Sequence, residues 1–270
     1  MAYGTATTRP AALAGTFYPA DPDDLRTTIA GFIAPVKPQR DGVPKALIVP
    51  HAGYTYSGAV AGKAYALLKD RGASLRRVVL LGPTHRVYVR GLAAPMTAFF
   101  ATPLGDVAID RAGLEKLKDL AQVVFNDEAH AMEHSLEVQL PFLQRIAPNA
   151  ALVPLAVGDT TPRAVGDVLA RFWDDPETLI VISSDLSHFH GYDDAKHRDS
   201  TTATSIEHFA GEELNGERAC GFLPIAGLLT LAKKEGARIE RIDLRNSGDT
   251  AGPRDRVVGY GAWAIYEAAE

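Results

Sequence analysis

The chain has 270 residues, 46% of them hydrophobic, enough for a large core in one big α/β domain or two ordinary ones. Its 28 basic and 33 acidic residues are interspersed at a net charge of −5, without the basic stripe that nucleic-acid binding needs. No run approaches the ~20 apolar residues of a membrane span, the start MAYGTATTRP carries no apolar signal core, and the one cysteine, Cys220, excludes an internal disulfide. The cytoplasm is the expected compartment.

In chain order, DPDDLRTTIAGFI from Asp21 predicts a helix, with Asp as cap, Pro at the first helical position and two acids in the first turn. The Pro- and charge-rich Ala34 to Lys45 reads as a surface loop. The apolar run Ala46 to Val49 reads as a strand, followed by a helix over GAVAGKAYALLKDRG with Gly72 as its stop. RVVLLG is a second strand, and Tyr88 to Pro103 is irregular or hairpin-like. A short helix RAGLEKLKDLA precedes EHSLEVQLPFLQRIA, where Leu136, Leu140 and Leu143 share one helical face. Then come the strand ALVPLAV, a helix over TPRAVGDVLARFW, the strand TLIVIS, a polar stretch, a helix over FLPIAGLLTLAKKEG, and the strands ARIERIDLR and RVVGYGAWAIYE. No fixed-period repeat, low-complexity tract or long linker occurs, so residues 1–270 read as a single domain. Strands alternating with helices predict a three-layer α/β/α sandwich around a mixed, mostly parallel sheet.

In such sheets the ligand crevice lies outside the carboxyl ends of the strands. His51, His85, and the pair Asp185 and His188 each follow a strand that reads as buried, which directs them all to one crevice. A lone histidine after a strand is more often a satisfied turn residue than a ligand, but recurrence at equivalent topological points favours a metal or acid/base site. Cys220 precedes a helix, whose positive end would lower a thiol pKa; a buried small residue is the equally weighted reading.

His130 to His134, HAMEH, fits the inverted zinc-peptidase pattern H-x-x-E-H. That motif must lie within one helix, whereas NDEAHAMEH is turn-like up to Glu128; Glu133, His134 and Glu137 remain candidates to line the crevice. GYTYSG lacks the Lys-Ser/Thr of a P-loop, GYGAWA has no βαβ unit to follow it, and no G-x-S-x-G elbow is present.

The motifs AGTFYPADPDDL, VPHAGYTYSG, LLGPTH, EHSLEVQLPFL, SSDLSHFH, ACGFLPI and SGDTAGPRDRVVGYGA, collinear from about Arg9 to Ala264, resemble those of the Memo family in its bacterial form, the AmmeMemoRadiSam system protein B. The resemblance implies a fold similar to the class III extradiol dioxygenases, which open catechol rings with non-haem Fe(II). It implies His51, His85 and Cys220 as metal ligands, and Asp185 and His188 beside the metal, with the histidine as acid/base by analogy with the dioxygenases. Phe17 and Tyr18 of the N-terminal aromatic motif are implied at the pocket's flank, and Tyr54, Glu133 and His134 are candidates around the ligands. A thiolate in place of the dioxygenase carboxylate shifts preference toward copper or zinc.

The reading this supports is a metal-binding protein, with Fe(II) first and copper or zinc as alternatives, acting as an oxidoreductase of dioxygenase type on an unknown small molecule. The competing class is a metal- or peptide-binding module without turnover, a partner of a radical-SAM protein. Metal-assisted hydrolysis through HAMEH is a third.

Overall fold

The computed structural model describes residues 7–33 and 42–268. In chain order the strands are β1 (Thr8–Arg9), β2 (Ala46–Val49), β3 (Arg77–Pro83), β4 (Leu92–Ala94), β5 (Phe99–Thr102), β6 (Gly105–Ala108), β7 (Val123–Phe125), β8 (Ala151–Val157), β9 (Thr178–Ser183), β10 (His188–His190), β11 (Arg238–Asn246) and β12 (Val257–Tyr266). The helices are α1 (Pro22–Ile33), α2 (Tyr54–Ala66), α3 (Arg111–Glu115), α4 (Glu128–Ala131), α5 (His134–Glu137), α6 (Leu140–Ile146), α7 (Pro162–Ala170), α8 (Tyr192–Glu207) and α9 (Phe222–Lys234).

Four strands, β2-β9-β3-β8, form the parallel centre of a nine-stranded mixed sheet. β12 joins β2 antiparallel at one side, carrying β11 and β10, and β4 and β7 close the other. The crossovers β2-α2-β3 and β8-α7-β9 run in opposite directions along the sheet, so right-handed connections place α2 and α7 on opposite faces. α2 packs with α1 and α6, and α7 with α9. The three-layer α/β/α sandwich expected from the sequence is therefore present. A second sheet, β1-β5-β6, stands apart from the main one.

Local chemistry accounts for most boundaries. The Asp21 carboxylate accepts the Asp23 and Asp24 amides at 2.9 and 3.0 Å, capping α1 as expected. α2 starts at Tyr54, four residues before the predicted Gly58, and ends at Ala66. Gly72 is not its stop; a Cβ there would sit 1.9 Å from the Ile146 carbonyl oxygen, so the glycine permits close chain approach. The segment predicted as one helix from Glu133 is broken into α5 and α6, because Pro141 cannot donate to the Glu137 carbonyl and its ring would crowd it. Leu136, Leu140 and Leu143 are nevertheless all buried.

The irregular segment after Tyr88 contains β4 and the β5-β6 hairpin, whose turn uses Gly105 at φ 115°. The polar stretch after Ser183 contains α8, a 16-residue helix. It buries mostly small or polar side chains, among them Ala195, Asp199 and Thr202, so no apolar stripe marked it; the acidic pair Asp193 and Asp194 in its first turn was the available signal.

The expected surface loop Ala34 to Lys45 lies outside the described residues at 34–41, and its end corrects the expectation. Pro44 and Lys45 are buried, and the Lys45 ammonium donates to the Asp175 carbonyl at 2.6 Å. Among the described residues no helix is long and apolar enough to cross a membrane.

Candidate metal centre

The register of the parallel centre aligns the ends of three neighbouring strands. Val49 of β2 pairs with Ser183 of β9, and Ile182 of β9 with Leu81 of β3. The segments that follow carry His51, Asp185 and His85 side by side, with β9 in the middle, as the crevice argument expects.

His51 is 1% exposed. Its Nδ1 lies 3.0 Å from the Ser183 hydroxyl, whose own proton is donated to the Ser135 carbonyl at 2.6 Å. The Gln139 amide donates to the same oxygen at 2.9 Å. Because that hydroxyl hydrogen is committed, His51 must donate from Nδ1, which leaves Nε2 as a bare lone pair. Burial first, and then the neighbouring His134, His85 and His188, push its pKa well below the ordinary value, so the ring is neutral.

His85 is fixed by Glu133. One carboxylate oxygen accepts its backbone N–H at 2.6 Å and the other its Nδ1–H at 2.8 Å, which leaves Nε2 as the ring nitrogen open to a metal. Burial alone would raise the Glu133 pKa; the His85 hydrogen bond and charge, with the Ser135 and His85 amides, outweigh it and hold the group at about 2. The ionised carboxylate also lies 3.4 Å from Nδ1 of His134. Burial, then His85, lowers His134 to about 4.

The three imidazoles converge. Ring centroids are 5.3 Å apart for His51 and His85, 5.2 Å for His51 and His134, and 4.4 Å for His85 and His134. One nitrogen from each lies within 4.8 Å of the others, near the ~4 Å that two imidazole–metal bonds of ~2.0–2.1 Å can span. Convergent ring nitrogens with a carboxylate or hydroxyl behind the two strand-end histidines form a donor set suited to a first-row transition metal. A group of His51, His85 and His134 could hold such an ion.

Cys220 does not join the 4.8 Å group, but its Sγ is 3.3 Å from Nε2 of His51. It accepts the Asp185 amide at 3.2 Å. Burial, then the charge of Asp185, pushes the thiol up to about 12, so without a cation beside it the group is protonated. Asp185 accepts the His51 amide at 2.7 Å rather than orienting His188. Burial raises its carboxyl to about 7 against that hydrogen bond. His188 donates from Nδ1 to the Leu186 carbonyl at 2.8 Å, and burial lowers its pKa. It stands at a β-bulge whose extra residue, Phe189, has φ 63°.

The aromatic candidates separate. Phe17 lies against His134 with centroids 5.1 Å apart, at the flank of the cluster. The hydroxyls of Tyr18 and Tyr54 point elsewhere, donating to Glu137 at 2.6 Å and to the Val138 carbonyl at 2.8 Å. HAMEH does not form the inverted zinc-peptidase helix: His130 belongs to α4, His134 starts α5, and Nε2 of His130 donates to the Ala93 carbonyl at 3.0 Å. Sequence reasoning missed Ser183 and Gln139, which set the His51 tautomer, and Arg9, which reaches three acceptors around α4 and α5. Ser183 was legible as the serine closing the TLIVIS strand; nothing local marked Gln139 or Arg9.

Comparison with known proteins gives the family. The profile of a family described as Memo-like protein matches residues 9–264. A MEMO1 family protein of Aquifex aeolicus is 36% identical, covering 93% of this chain and 97% of the relative. One of Thermoplasma volcanium is 33% identical over 93% and 96%. In fold alone, the crystal structure of an uncharacterized protein from Escherichia coli K12 superposes with a TM-score of 0.53 at 13% identity, covering 81% of this chain and 98% of that one. The chain belongs to the Memo family.

Proposed function

We propose that this protein binds a transition-metal ion through His51, His85 and His134, with Cys220 as an adjacent thiol donor, and uses it in an oxidoreductase reaction of dioxygenase type. The observation that carries this reading is the convergence of three imidazole nitrogens within 4.8 Å. Fe(II) with open positions would supply oxygen chemistry at this place. The chain's own residues do the rest. Glu133 and Ser183 fix the ligand tautomers, and Asp185 holds the His51 backbone. His188, with Nδ1 tied to a carbonyl and Nε2 bare, can take a proton from a bound hydroxyl and return it. The thiol next to His51 favours copper or zinc as the second reading of the metal.

The test is metal content after purification without oxygen. Near-stoichiometric metal in the wild type, lost in His51→Ala and His85→Ala but retained in His188→Ala, is the expected result. Equal loss in His188→Ala contradicts the division of roles, and a wild type that neither carries nor takes up metal overturns the reading. A thiolate-to-copper absorption band on Cu(II) loading, absent in Cys220→Ser, establishes the thiol as a donor. Oxygen uptake with catechol-type substrates then separates turnover from binding alone.

A further inference from the structure

Two of the three imidazoles follow strand ends, but His134 begins a helix of four residues, too short to hold its own position. The surroundings supply the missing rigidity from 124 residues away. The buried Arg9 guanidinium donates from Nε to the His130 carbonyl at 2.6 Å and from Nη2 to the Glu133 carbonyl at 3.2 Å. Its Nη1 forms an ion pair with Glu137 at 2.6 Å, and the side chains are 4% and 0% exposed. One planar fork therefore spans α4, the residue before His134, and the end of α5.

The small second sheet has a purpose in this arrangement. Arg9 pairs with Phe100 in the β1-β5 register, and its guanidinium lies over the Phe100 ring at 5.2 Å. The strap beyond it closes on the same helix: the Ala12 and Leu13 amides donate to Glu137 at 2.9 and 2.8 Å, and so does the Tyr18 hydroxyl. Between those contacts Phe17 packs on His134, and its carbonyl accepts the Tyr54 amide at 2.7 Å, just after His51.

We infer that Arg9 is a positioning residue of the metal centre, holding His134 and Glu133 in place through the backbone carbonyls on either side of the α4–α5 junction. This rests on the proposed metal-binding role of His134. A positioning partner of this kind changes metal affinity by about 10–100-fold when removed.

The experiment must separate positioning from charge balance, because Arg9→Gln alone leaves Glu137 buried without its partner. The double variant Arg9→Gln/Glu137→Gln removes both charges. It is compared with wild type, His134→Ala and the triple combination in Co(II) titrations followed by the visible spectrum. The double variant is expected to fold, to lose about 10–100-fold in Co(II) affinity, and to lose clearly less in the His134→Ala background, where only the hold of Glu133 on His85 remains to be disturbed. Wild-type affinity in the double variant, or a loss of equal size in the His134→Ala background, overturns the inference. A readout without metal keeps the two readings apart. In metal-free protein, exchange of the His85 and Ser135 amides, both held by Glu133, is expected to accelerate at least tenfold in the double variant, with β3 and β9 unchanged. Unchanged exchange overturns the role of Arg9 whatever the metal result, whereas accelerated exchange in a protein that binds no Co(II) removes only the metal.

Discussion

The two halves of the centre are built by different means. His51 and Asp185 sit where adjacent parallel strands end, and a sheet hydrogen-bonded from Ala46 to Val49 sets their spacing. His134 sits at a break between two short helices and depends on Glu137 of its own helix and on Arg9, Tyr18 and Phe17, which arrive from the N-terminal segment. Backbone register gives the first half rigidity at little extra cost. The second half needs a buried ion pair and a strap, and such assemblies are strong only when every member is present.

Four measurements would break or sharpen this contrast, and the largest effect belongs to the strap side. Glu137→Ala leaves Arg9 buried without its carboxylate and removes the acceptor for two amides and a hydroxyl. Chemical denaturation should show a loss of about 3–5 kcal/mol; a loss under 1 kcal/mol would mean that the strap is not held through this residue.

Next is Asp199 on the strand side, whose carboxylate accepts the Ser187 amide at 3.0 Å while its second oxygen has no partner among the described residues. Burial raises its pKa from 3.8 to about 6, against the Ser187 hydrogen bonds. Folded protein therefore binds this proton more tightly than unfolded chain between those values, and the residue's contribution to stability falls as pH rises through the window. Asp199→Asn keeps an acceptor for Ser187 and should be more stable than wild type at pH 8, by on the order of 2–3 kcal/mol, with the advantage gone by pH 4. An advantage that does not change with pH would reject the burial argument.

Gly82 lies where the halves meet. A Cβ there would come within 2.7 Å of the Ser135 hydroxyl oxygen and 3.1 Å of Leu136, so Gly82→Ala pushes α5 away from the end of β3. The expected cost is about 1–3 kcal/mol together with weaker metal binding. Intact metal affinity would show that the two halves tolerate separation. The smallest effect is Ser183→Ala, which frees Nδ1 of His51 and leaves the Gln139 amide one acceptor short. A stability loss of about 1 kcal/mol with metal affinity reduced about tenfold is expected from calorimetry; an unchanged affinity would mean that the ring needs no hydroxyl to hold its tautomer.

Much of this was legible because it is local. The apolar runs ending at Val49, Pro83 and Ser183 mark buried parallel strands, and a histidine or aspartate just beyond each marks the crevice. The cap at Asp21 and the apolar face through Leu136, Leu140 and Leu143 were readable from spacing. Helix α8 was not, because its buried side is mostly alanine, threonine, serine and aspartate, and Ile206 near its end sets no hydrophobic period by itself. Lys45 was read as surface because lysine is seldom buried; in the fold its ammonium donates to the Asp175 carbonyl, 130 residues away.

The sequence alone determined the sheet's central strands, the crevice at their carboxyl ends, and His51 and His85 within it, because strand patterning and chain direction are encoded over a few residues. Only the tertiary structure decided that His134 stands with those two in the nitrogen cluster while Cys220 stands against His51. It likewise decided that Tyr54 faces away and that Arg9 holds the α4–α5 junction. Those outcomes depend on where Pro141 breaks a helix and on contacts between residues more than a hundred positions apart, and no local pattern carries that information.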